Sequence, residues 1–583
     1  MEPQRTTDIN IMRHSLSHIL ATAVLRLYPD TKLGIGAVVP NGFYHDFQFT
    51  TPIKNQDLNN IKTEMEKIIS QELPIQQVFI TKEQAFDILN LQGQIFKTEI
   101  LTNIEDKEVS FFKTGEEFMD LCRGPHIDNT GRVKAFELTQ ISGSYWNNDK
   151  NRPLMQRIHG IAFSSDQELK EFVQLQEEKK SRDHKKIAQN LELFTLDPQN
   201  GTSLPLWLPK GEAIRSIIIN YVKKQNKRLG YLYVNTPTIS KTNAFKKSKI
   251  QMSENNYCIP PFKINNDDYI LRPRCLEHHI QIFKTKSRSY KELPFKISEF
   301  ATCFRNGSSG DFSGFFKVRE FMLDTNTIIC SKKQIINSIT ESIVFTKKIY
   351  KDFGLEDYKI ELALKGPKHE NYFGNPKEWA QLQAFLIEAI KKAGITVYES
   401  QNAAKKVGPS INFIFEDVFQ RTWQLGTIHL DLEATRSLSL KYTDSKNKEK
   451  KPYVIYRTSI GSLERFFAIL IENTEGNFPV WLSPIQVNII PISDKYVEYG
   501  YKIYNEIIEK NINVSIDTSQ ETMQNKIRQS QIQMIPYMII IGEKEQKNDV
   551  ISVRPRSGQD LGMMKLDEFL NKIEKEIEEK VNF

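Results

Sequence analysis

The sequence predicts an α+β fold spread over several domains. Three observations carry this expectation: the length, a long central region whose strands follow no regular rhythm, and a C-terminal region in which strand and helix alternate. At 583 residues, a prior of about 150 residues per domain gives roughly three to four domains. Hydrophobic residues make up 39% and charged residues 26%, the balance of a chain with real cores. The net charge of +7 suits a broad contact with a polyanion without requiring one.

Some classes are disfavoured at once. Cys122, Cys258, Cys275, Cys303 and Cys330 show no paired framework, so a reducing, cytoplasmic setting is expected. The segment from Met1 to Ser15 has no apolar signal core. No uncharged apolar run approaches the roughly 20 residues of a membrane span, so no membrane partner is expected.

Residues 1–165 mix short strands with helices. Gly34, Gly36, Asn41 and Gly42 punctuate an apolar stretch that ends in the strand-like alternation Phe43-Tyr44-His45-Asp46-Phe47. Residues 166–190 read as one helix rich in Glu and Lys, poor in large apolar side chains, and suited to bridging domains. Residues 211–228 carry Ile214, Ile218, Tyr221 and Val222 at helical spacing. Strand-like segments follow at 231–235, 294–304, 313–330, 411–415 and 425–432. Neither blocked nor regularly alternated with helices, they favour an antiparallel sheet with helices packed on it. Beyond Pro479 and Pro484 come a strand (487–492), a helix (496–509), a strand (513–516), a helix (521–533), a strand (536–541) and a final helix (565–580). That rhythm reads as a small α/β domain. The expected boundaries are 1–165, a linker helix 166–190, 191–482 and 483–583.

Two constellations carry chemistry. His14 and His18 are four apart and share a helix face. Cys122 and His126 bracket Arg123-Gly124-Pro125. One thiol and three imidazoles can hold a zinc ion or shuttle protons around a water, and histidine is scarce, ten in all. In the centre, Arg305 opens a glycine-bearing loop with Gly310 and Gly314, which alone is no more than a surface hairpin. Arg465 falls off the apolar stripe Leu463, Phe466, Phe467, Leu470 and Ile471, near a helix start.

These stretches resemble a known family. Met12-Arg-His-Ser-Leu-Ser-His18, Gly34-Ile-Gly36, Asn41-Gly-Phe-Tyr44, Asp120-Leu-Cys-Arg-Gly-Pro-His126 and Ser142-Gly-Ser-Tyr-Trp146 are similar to the editing domain of bacterial threonyl-tRNA synthetases. Ser203–Pro237, Glu299–Arg319 and Ile460–Arg465 resemble the three motifs of class II aminoacyl-tRNA synthetases, and Trp423–Thr427 with Leu430-Asp431 resembles a further stretch of the threonyl branch. The resemblance starts at residue 11, so the small N-terminal domain many members carry is expected to be lacking.

The resemblance implies a class II antiparallel-sheet catalytic core, an N-terminal α+β editing domain and a C-terminal α/β anticodon-binding domain. It implies ATP-dependent attachment of threonine to tRNA(Thr) through a threonyl-adenylate, with Mg²⁺ accompanying ATP, and hydrolysis of seryl-tRNA. His14, His18, Cys122 and His126 would line the editing pocket; in related alanyl domains the equivalent set holds zinc, which leaves a metal open here. Arg305 would hold the α-phosphate and the threonine carboxylate, and Arg465 the γ-phosphate, since arginine forks neutralise the two anions brought together. Lys317 and Arg319 would support them, and Gln424 and Thr427 would line the adenylate pocket. Gln520, Glu545 and Arg554 match positions that meet anticodon bases. The first motif implies a homodimer, with Ile214, Ile218 and Val222 as interface or core.

The sequence also departs from the family. Members hold threonine on a zinc bound by one Cys and two His; those positions are Leu276, Thr327 and Tyr456, and Cys275 stands one residue early. None of the three replaces a thiolate or imidazole, so no zinc is expected in the synthetic site. The acidic partner of the threonine amine is Thr325, the adenine-facing glutamate is Gly307, an arginine is Lys317 and a lysine is Ser410. The alternatives are a tRNA-editing hydrolase whose synthetic half has decayed and a non-catalytic tRNA-binding module.

Overall fold

The computed structural model describes residues 8–149, 151–246, 258–307, 310, 312–366 and 372–581. The chain divides into two compact units, Met1–Glu178 and Lys179–Phe583.

In the first unit the helix Asp8–Leu27 buries Leu16, Ile19, Leu20, Ala23 and Val24, a stripe at intervals of three and four residues. It packs on the antiparallel strands Lys32–Val39 and Gly42–Gln48. Their sheet continues through Leu154–Phe163 to Ala135–Tyr145. The hairpin turns at Pro40-Asn41, where Asn41 takes φ +62°; proline and then a residue tolerant of positive φ are what such a turn needs. A second antiparallel sheet, Ile75–Thr81, Glu108–Thr114 and Phe118–Leu121, delivers the chain to Cys122.

The second unit centres on an eight-stranded sheet. Its order is Leu232–Tyr233, Phe295–Phe304, Glu320–Cys330, Tyr453–Thr458, Thr422–Leu430, Ser410–Glu416, Lys359–Leu364 and Tyr398–Gln401. All neighbours are antiparallel except the two edge pairs. The helices Pro209–Arg228, Ile335–Asp352, Pro376–Ala393 and Leu463–Thr474 supply buried stripes to the core over it. Ile214, Ile218 and Val222 are fully buried within the single chain, so they are core residues.

Three expected elements differ. The strand over 313–330 begins only at Glu320, because Gly314–Phe316 forms a single 3-10 turn and Gly314 sits at φ +50°. The segment 231–235 pairs over Leu232–Tyr233 alone. The single helix over 166–190 is two, Asp166–Ser181 and His184–Asn190; the Asp183 side chain accepts the N–H of Lys185 at 2.8 Å and caps the second. Asp favours a cap over a helix interior, because its carboxylate satisfies an otherwise orphaned N–H.

The C-terminal region forms a five-stranded sheet, Val514–Ile516, Val487–Pro491, Tyr537–Ile541, Ile551–Pro555 and Gly562–Met564, parallel over the first three strands and antiparallel over the last two. The helices Val497–Glu509, Met523–Ile532 and Leu566–Glu579 agree with the alternation read from the sequence. The helix Glu543–Asn548 and the last two strands had no periodic signal strong enough to be read.

Candidate active sites

In the first unit, one helix turn separates His14 from His18, and the loop after Phe118–Leu121 brings Cys122 and His126 to them. The ligand atoms of all four lie within 4.8 Å of one another. The hydrogen bonds fix two of the tautomers. His14 Nδ1 faces the Pro125 carbonyl at 3.2 Å, an acceptor only, so Nδ1 carries the proton. Ser15 Oγ donates to Ile11 O at 2.9 Å, which leaves it to accept the Ile127 N–H at 3.0 Å and the His126 Nδ1–H at 3.1 Å. Both Nε2 lone pairs therefore face the Cys122 sulfur, at 3.5 Å from His14 and 3.3 Å from His126. His18 is buried, with its ring edge-on to Phe118 and its Nδ1 without a partner.

Burial lowers the pKa of His14 and His126 and takes His18 well below the usual imidazole value; burial raises that of the Cys122 thiol. At neutral pH the pocket is thus three neutral imidazoles around a thiol, able to take a proton from a water. The same donors also fit zinc: ligand distances of about 2.3 Å for sulfur and 2.0–2.1 Å for nitrogen in a tetrahedron require sulfur–nitrogen separations of about 3.5 Å, and the outward Nδ1 bonds are those that orient metal-bound histidines. The buried ion pair Lys97–Asp120, at 2.7 Å, anchors the strand just before Cys122. Gly36 allows the helix to approach, since a Cβ there would lie 2.8 Å from Ser17 Oγ and 2.7 Å from the His45 ring.

The second site lies on the large sheet. Arg305 follows the strand Phe295–Phe304, donates its backbone N–H across the hairpin to Arg319 O at 2.9 Å, and sets its guanidinium 4.2 Å from the centre of the Phe321 ring. Arg465 occupies the first turn of Leu463–Thr474, capped by Ser462. Its Nε donates to Phe316 O at 2.9 Å and its Nη1 to Gln424 O at 2.7 Å. Burial and then the charge of Arg305 lower its pKa to about 10, and the Met322 N–H donates to the neighbouring Glu464 carboxylate at 3.1 Å, which seats this helix start against the strand Glu320–Cys330. Two cations on adjacent elements, one of them held by neutral carbonyls, make a place for an anion. Arg319 lies over the Phe312 ring at 4.7 Å, with its N–H groups 3.5 Å from Asn306 Oδ1 and 3.4 Å from Gly307 O. Lys317 ends the 3-10 turn and its carbonyl accepts the Ser313 N–H at 3.3 Å. Gln424 contributes the carbonyl that holds Arg465, and the buried Thr427 hydroxyl donates to Asn412 Oδ1 at 2.7 Å.

The three positions matched to zinc ligands do not fit the ion. Leu276 is buried with Ile280, Phe283 and Leu293 in an apolar cluster. Thr327 Oγ1 is 2.9 Å from His279 Nδ1, and the Tyr456 hydroxyl faces Thr325 Oγ1 at 3.5 Å. Cys275, His279 and Glu299 do gather their ligand atoms within 4.8 Å, but His279 and Glu299 already have hydrogen-bond partners. Glu299 accepts from the Thr236 N–H and hydroxyl at 3.0 and 2.8 Å and from Arg272 at 3.3 Å, and His279 spends both nitrogens, on Thr327 and, at 3.3 Å, on Glu299.

The C-terminal residues lie in the small sheet domain. Glu545 accepts the Gly542 N–H at 2.8 Å and the Ser552 hydroxyl at 2.7 Å. Arg554 stands on Ile551–Pro555 with a buried, unpartnered Nε, and Gln520 is exposed in a bend. Sequence reasoning missed Ser15 and the pair His184–Glu472, whose carboxylate lies 2.8 Å from the imidazole Nδ1. Asp183 before His184, followed by Ile187, Ala188 and Leu191, was a readable cap and apolar stripe.

Three known families align with the chain in order. Residues 109–159 match the threonyl and alanyl tRNA synthetase second additional domain, residues 260–474 the class II tRNA synthetase core domain (G, H, P, S and T), and residues 486–576 an anticodon binding domain. A threonine–tRNA ligase of Thermus thermophilus is 35% identical over 577 residues, spanning 96% of this chain and 87% of its own. That of Clostridioides difficile is 36% identical over 571 residues, spanning 97% and 88%. Among solved structures, the RNA binding domain of threonyl-tRNA synthetase from Cryptosporidium parvum superposes with a TM-score of 0.64 at 28% identity, over 67% of this chain and 98% of that one. With that identity sustained over almost its whole length, the chain belongs to the threonine–tRNA ligase family of class II aminoacyl-tRNA synthetases, enzymes of tRNA charging, and carries the family's editing domain.

Proposed function

We propose that this chain joins threonine to tRNA(Thr) through a threonyl-adenylate made from ATP and Mg²⁺, and removes serine from mischarged tRNA in the pocket of its N-terminal region. The observation that supports the synthetic half is the pair Arg305 and Arg465 on neighbouring elements: the helix start that carries Arg465 is bonded to the strand Glu320–Cys330, the hairpin partner of the strand that ends before Arg305, through Met322 N–H to Glu464 at 3.1 Å and a bridge between Leu323 and Ser462. In activation the threonine carboxylate attacks the α-phosphorus and pyrophosphate leaves. Arg305 neutralises the α-phosphate and the carboxylate, Arg465 binds the γ-phosphate, Lys317 and Arg319 add positive charge, and Gln424 and Thr427 border the adenylate. A decayed synthetic site has no need of a partly buried guanidinium held on two carbonyls with a second arginine on the neighbouring hairpin, which argues against a hydrolase alone.

In editing, water attacks the ester carbonyl of seryl-tRNA and gives its proton to a neutral imidazole of His14, His18 or His126; the acyl carbon–oxygen bond breaks, and the imidazolium returns the proton to the departing ribose oxygen, leaving serine and tRNA. The synthetic site works without zinc, because Leu276, Thr327 and Tyr456 do not offer its ligands. Residues 1–165, 166–190, 191–482 and 483–583 serve as editing domain, linker, catalytic domain and anticodon-binding domain. Gln520, Glu545 and Arg554 meet the anticodon, and the enzyme acts as a homodimer in the cytoplasm. Threonine-dependent ATP–pyrophosphate exchange tests the first half; its absence from folded protein overturns it. Seryl-tRNA deacylation, abolished by Cys122→Ala, tests the second; deacylation untouched by that change overturns it.

A further inference from the structure

We propose that His184 and Glu472 are positioning residues for Arg465, fixing the two backbone carbonyls that aim its guanidinium. The proposal rests on the reading of Arg305 and Arg465 as the ATP-binding pair. His184 is fully buried at the start of His184–Asn190. Its nitrogens have different, fixed tasks. The Phe315 N–H points at Nε2 from 3.2 Å, so Nε2 carries the lone pair. Nδ1 then carries the proton and donates it to Glu472 Oε1 at 2.8 Å. The second Glu472 oxygen accepts the Val418 N–H at 3.0 Å. Asp183, His184 and Glu472 have the composition of a metal site, but with both ring nitrogens committed no imidazole lone pair remains for an ion.

The consequence is geometric. Phe315, pinned by His184, precedes Phe316, whose carbonyl receives Arg465 Nε at 2.9 Å. Val418, pinned by Glu472, belongs to the turn that Asp417 closes by accepting the Arg421 Nε–H at 2.6 Å and the Trp423 indole N–H at 2.9 Å. That turn leads to Gln424, whose carbonyl receives Arg465 Nη1 at 2.7 Å. One carboxylate–imidazole pair thus tethers the backbone on both sides of the guanidinium. The Phe316 ring lies flat on Trp423, 4.7 Å away at 8°, and joins the two segments. Gly314 belongs to the same device: it sits at φ +50°, and a Cβ there would lie 2.4 Å from His184 Nε2.

Two near-isosteric halves of the imidazole separate positioning from plain stability. In His184→Asn the amide N–H replaces Nδ1–H and the acceptor for Phe315 is lost. In His184→Gln the amide oxygen reaches the Nε2 position and the donor to Glu472 is lost. In threonine-dependent ATP–pyrophosphate exchange, His184→Asn is expected to raise KM for ATP about tenfold and His184→Gln about threefold or less, with KM for threonine within about twofold, since misplacing a binding group by a fraction of an ångström has effects of this order. KM for ATP unchanged in both variants, with or without lowered melting temperatures, or KM for threonine raised as much as KM for ATP, overturns the proposal. Where either variant fails to fold, Gly314→Ala replaces it, with a raised KM for ATP expected and an unchanged one refuting. Arg465→Ala separates the two levels. If it leaves KM for ATP unchanged, the reading of Arg305 and Arg465 as the ATP site fails; if it raises KM while His184→Asn and Gly314→Ala do not, only the positioning fails.

Discussion

Replacing Arg465 by alanine removes two kinds of interaction, and the structure separates their sizes. Nε and Nη1 are bonded to Phe316 O and Gln424 O at 2.9 and 2.7 Å, and the remaining N–H groups are available to a phosphate. A hydrogen bond to a charged group contributes about 1.5–3 kcal/mol, so loss of the phosphate contact alone lowers kcat/KM for ATP by roughly 10- to 150-fold. Truncation also leaves two carbonyls without their donor, at about 1–3 kcal/mol where they are shut off from water. Against this, a partly buried cation whose pKa is lowered to about 10 by desolvation and by Arg305 is no longer held there. The net loss of folding stability is therefore about 1–3 kcal/mol, less than the sum of the parts. Arg465→Lys keeps the charge but cannot span both carbonyls and the phosphate, so it falls near the alanine variant. The assay is threonine-dependent ATP–pyrophosphate exchange over a range of ATP, with urea unfolding on the same protein and seryl-tRNA deacylation as the internal control. A folded Arg465→Ala protein within threefold of the parent in kcat/KM refutes the reasoning; so does one whose deacylation falls in parallel, because that loss would be global.

Other outcomes follow from the same geometry. Cys122→Ala and His14→Ala are expected to lower seryl-tRNA deacylation at least about a hundredfold, the usual scale of general acid–base catalysis, while exchange stays within about twofold; parallel loss of exchange counts against separate sites. His14, His18 and His126 have lowered pKa values and His45, buried beside Phe47, is lowered to about 3. Below about pH 6.5 the unfolded chain therefore binds more protons than the folded one, so stability is complete above that pH and falls as it is lowered; a proteolysis rate in the first unit that is flat between pH 7.5 and 5 contradicts this. Any zinc in the purified enzyme is expected to be lost on Cys122→Ser and kept on Cys275→Ser, measured by metal analysis; the opposite pattern places the ion in the synthetic site.

How much was legible depended on the kind of signal. The antiparallel core could be read because its strands are long and apolar, and Arg465 because it stands off a stripe in a helix that buries Leu463, Phe466, Phe467, Leu470 and Ile471. The grouping of His14, His18, Cys122 and His126 was visible as two local motifs, although 108 residues separate His14 from Cys122. What stayed hidden was set by partners remote in sequence. His184 read as part of a charged linker because Glu472 is 288 residues away. The strand expected from residue 313 is a turn because Gly314 must leave room for that same imidazole, a constraint with no local trace. The helix Glu543–Asn548 is six residues long and buries none of them, too short for periodicity to report.

The proposed loss of zinc changes which half of the enzyme must carry fidelity. Serine lacks one methyl of threonine, worth about 1–3 kcal/mol in any pocket, so no arrangement of the synthetic site makes hydrolysis dispensable. Valine has the shape of threonine with the hydroxyl replaced by a methyl group. It is excluded only where a buried polar group loses its partner when valine binds. Around the replaced positions the polar groups are already satisfied by one another: Thr327 by His279, Glu299 by Thr236 and Arg272, and Thr325 by the Tyr456 hydroxyl, though at 3.5 Å only loosely. A pocket whose donors are paired without the substrate loses little when the substrate hydroxyl is missing. Valine is therefore expected to be activated within about a hundredfold of threonine. Exchange with valine more than about ten-thousandfold weaker than with threonine would show that Tyr456 and Thr325 part to receive the hydroxyl, and Tyr456→Phe would then abolish the discrimination.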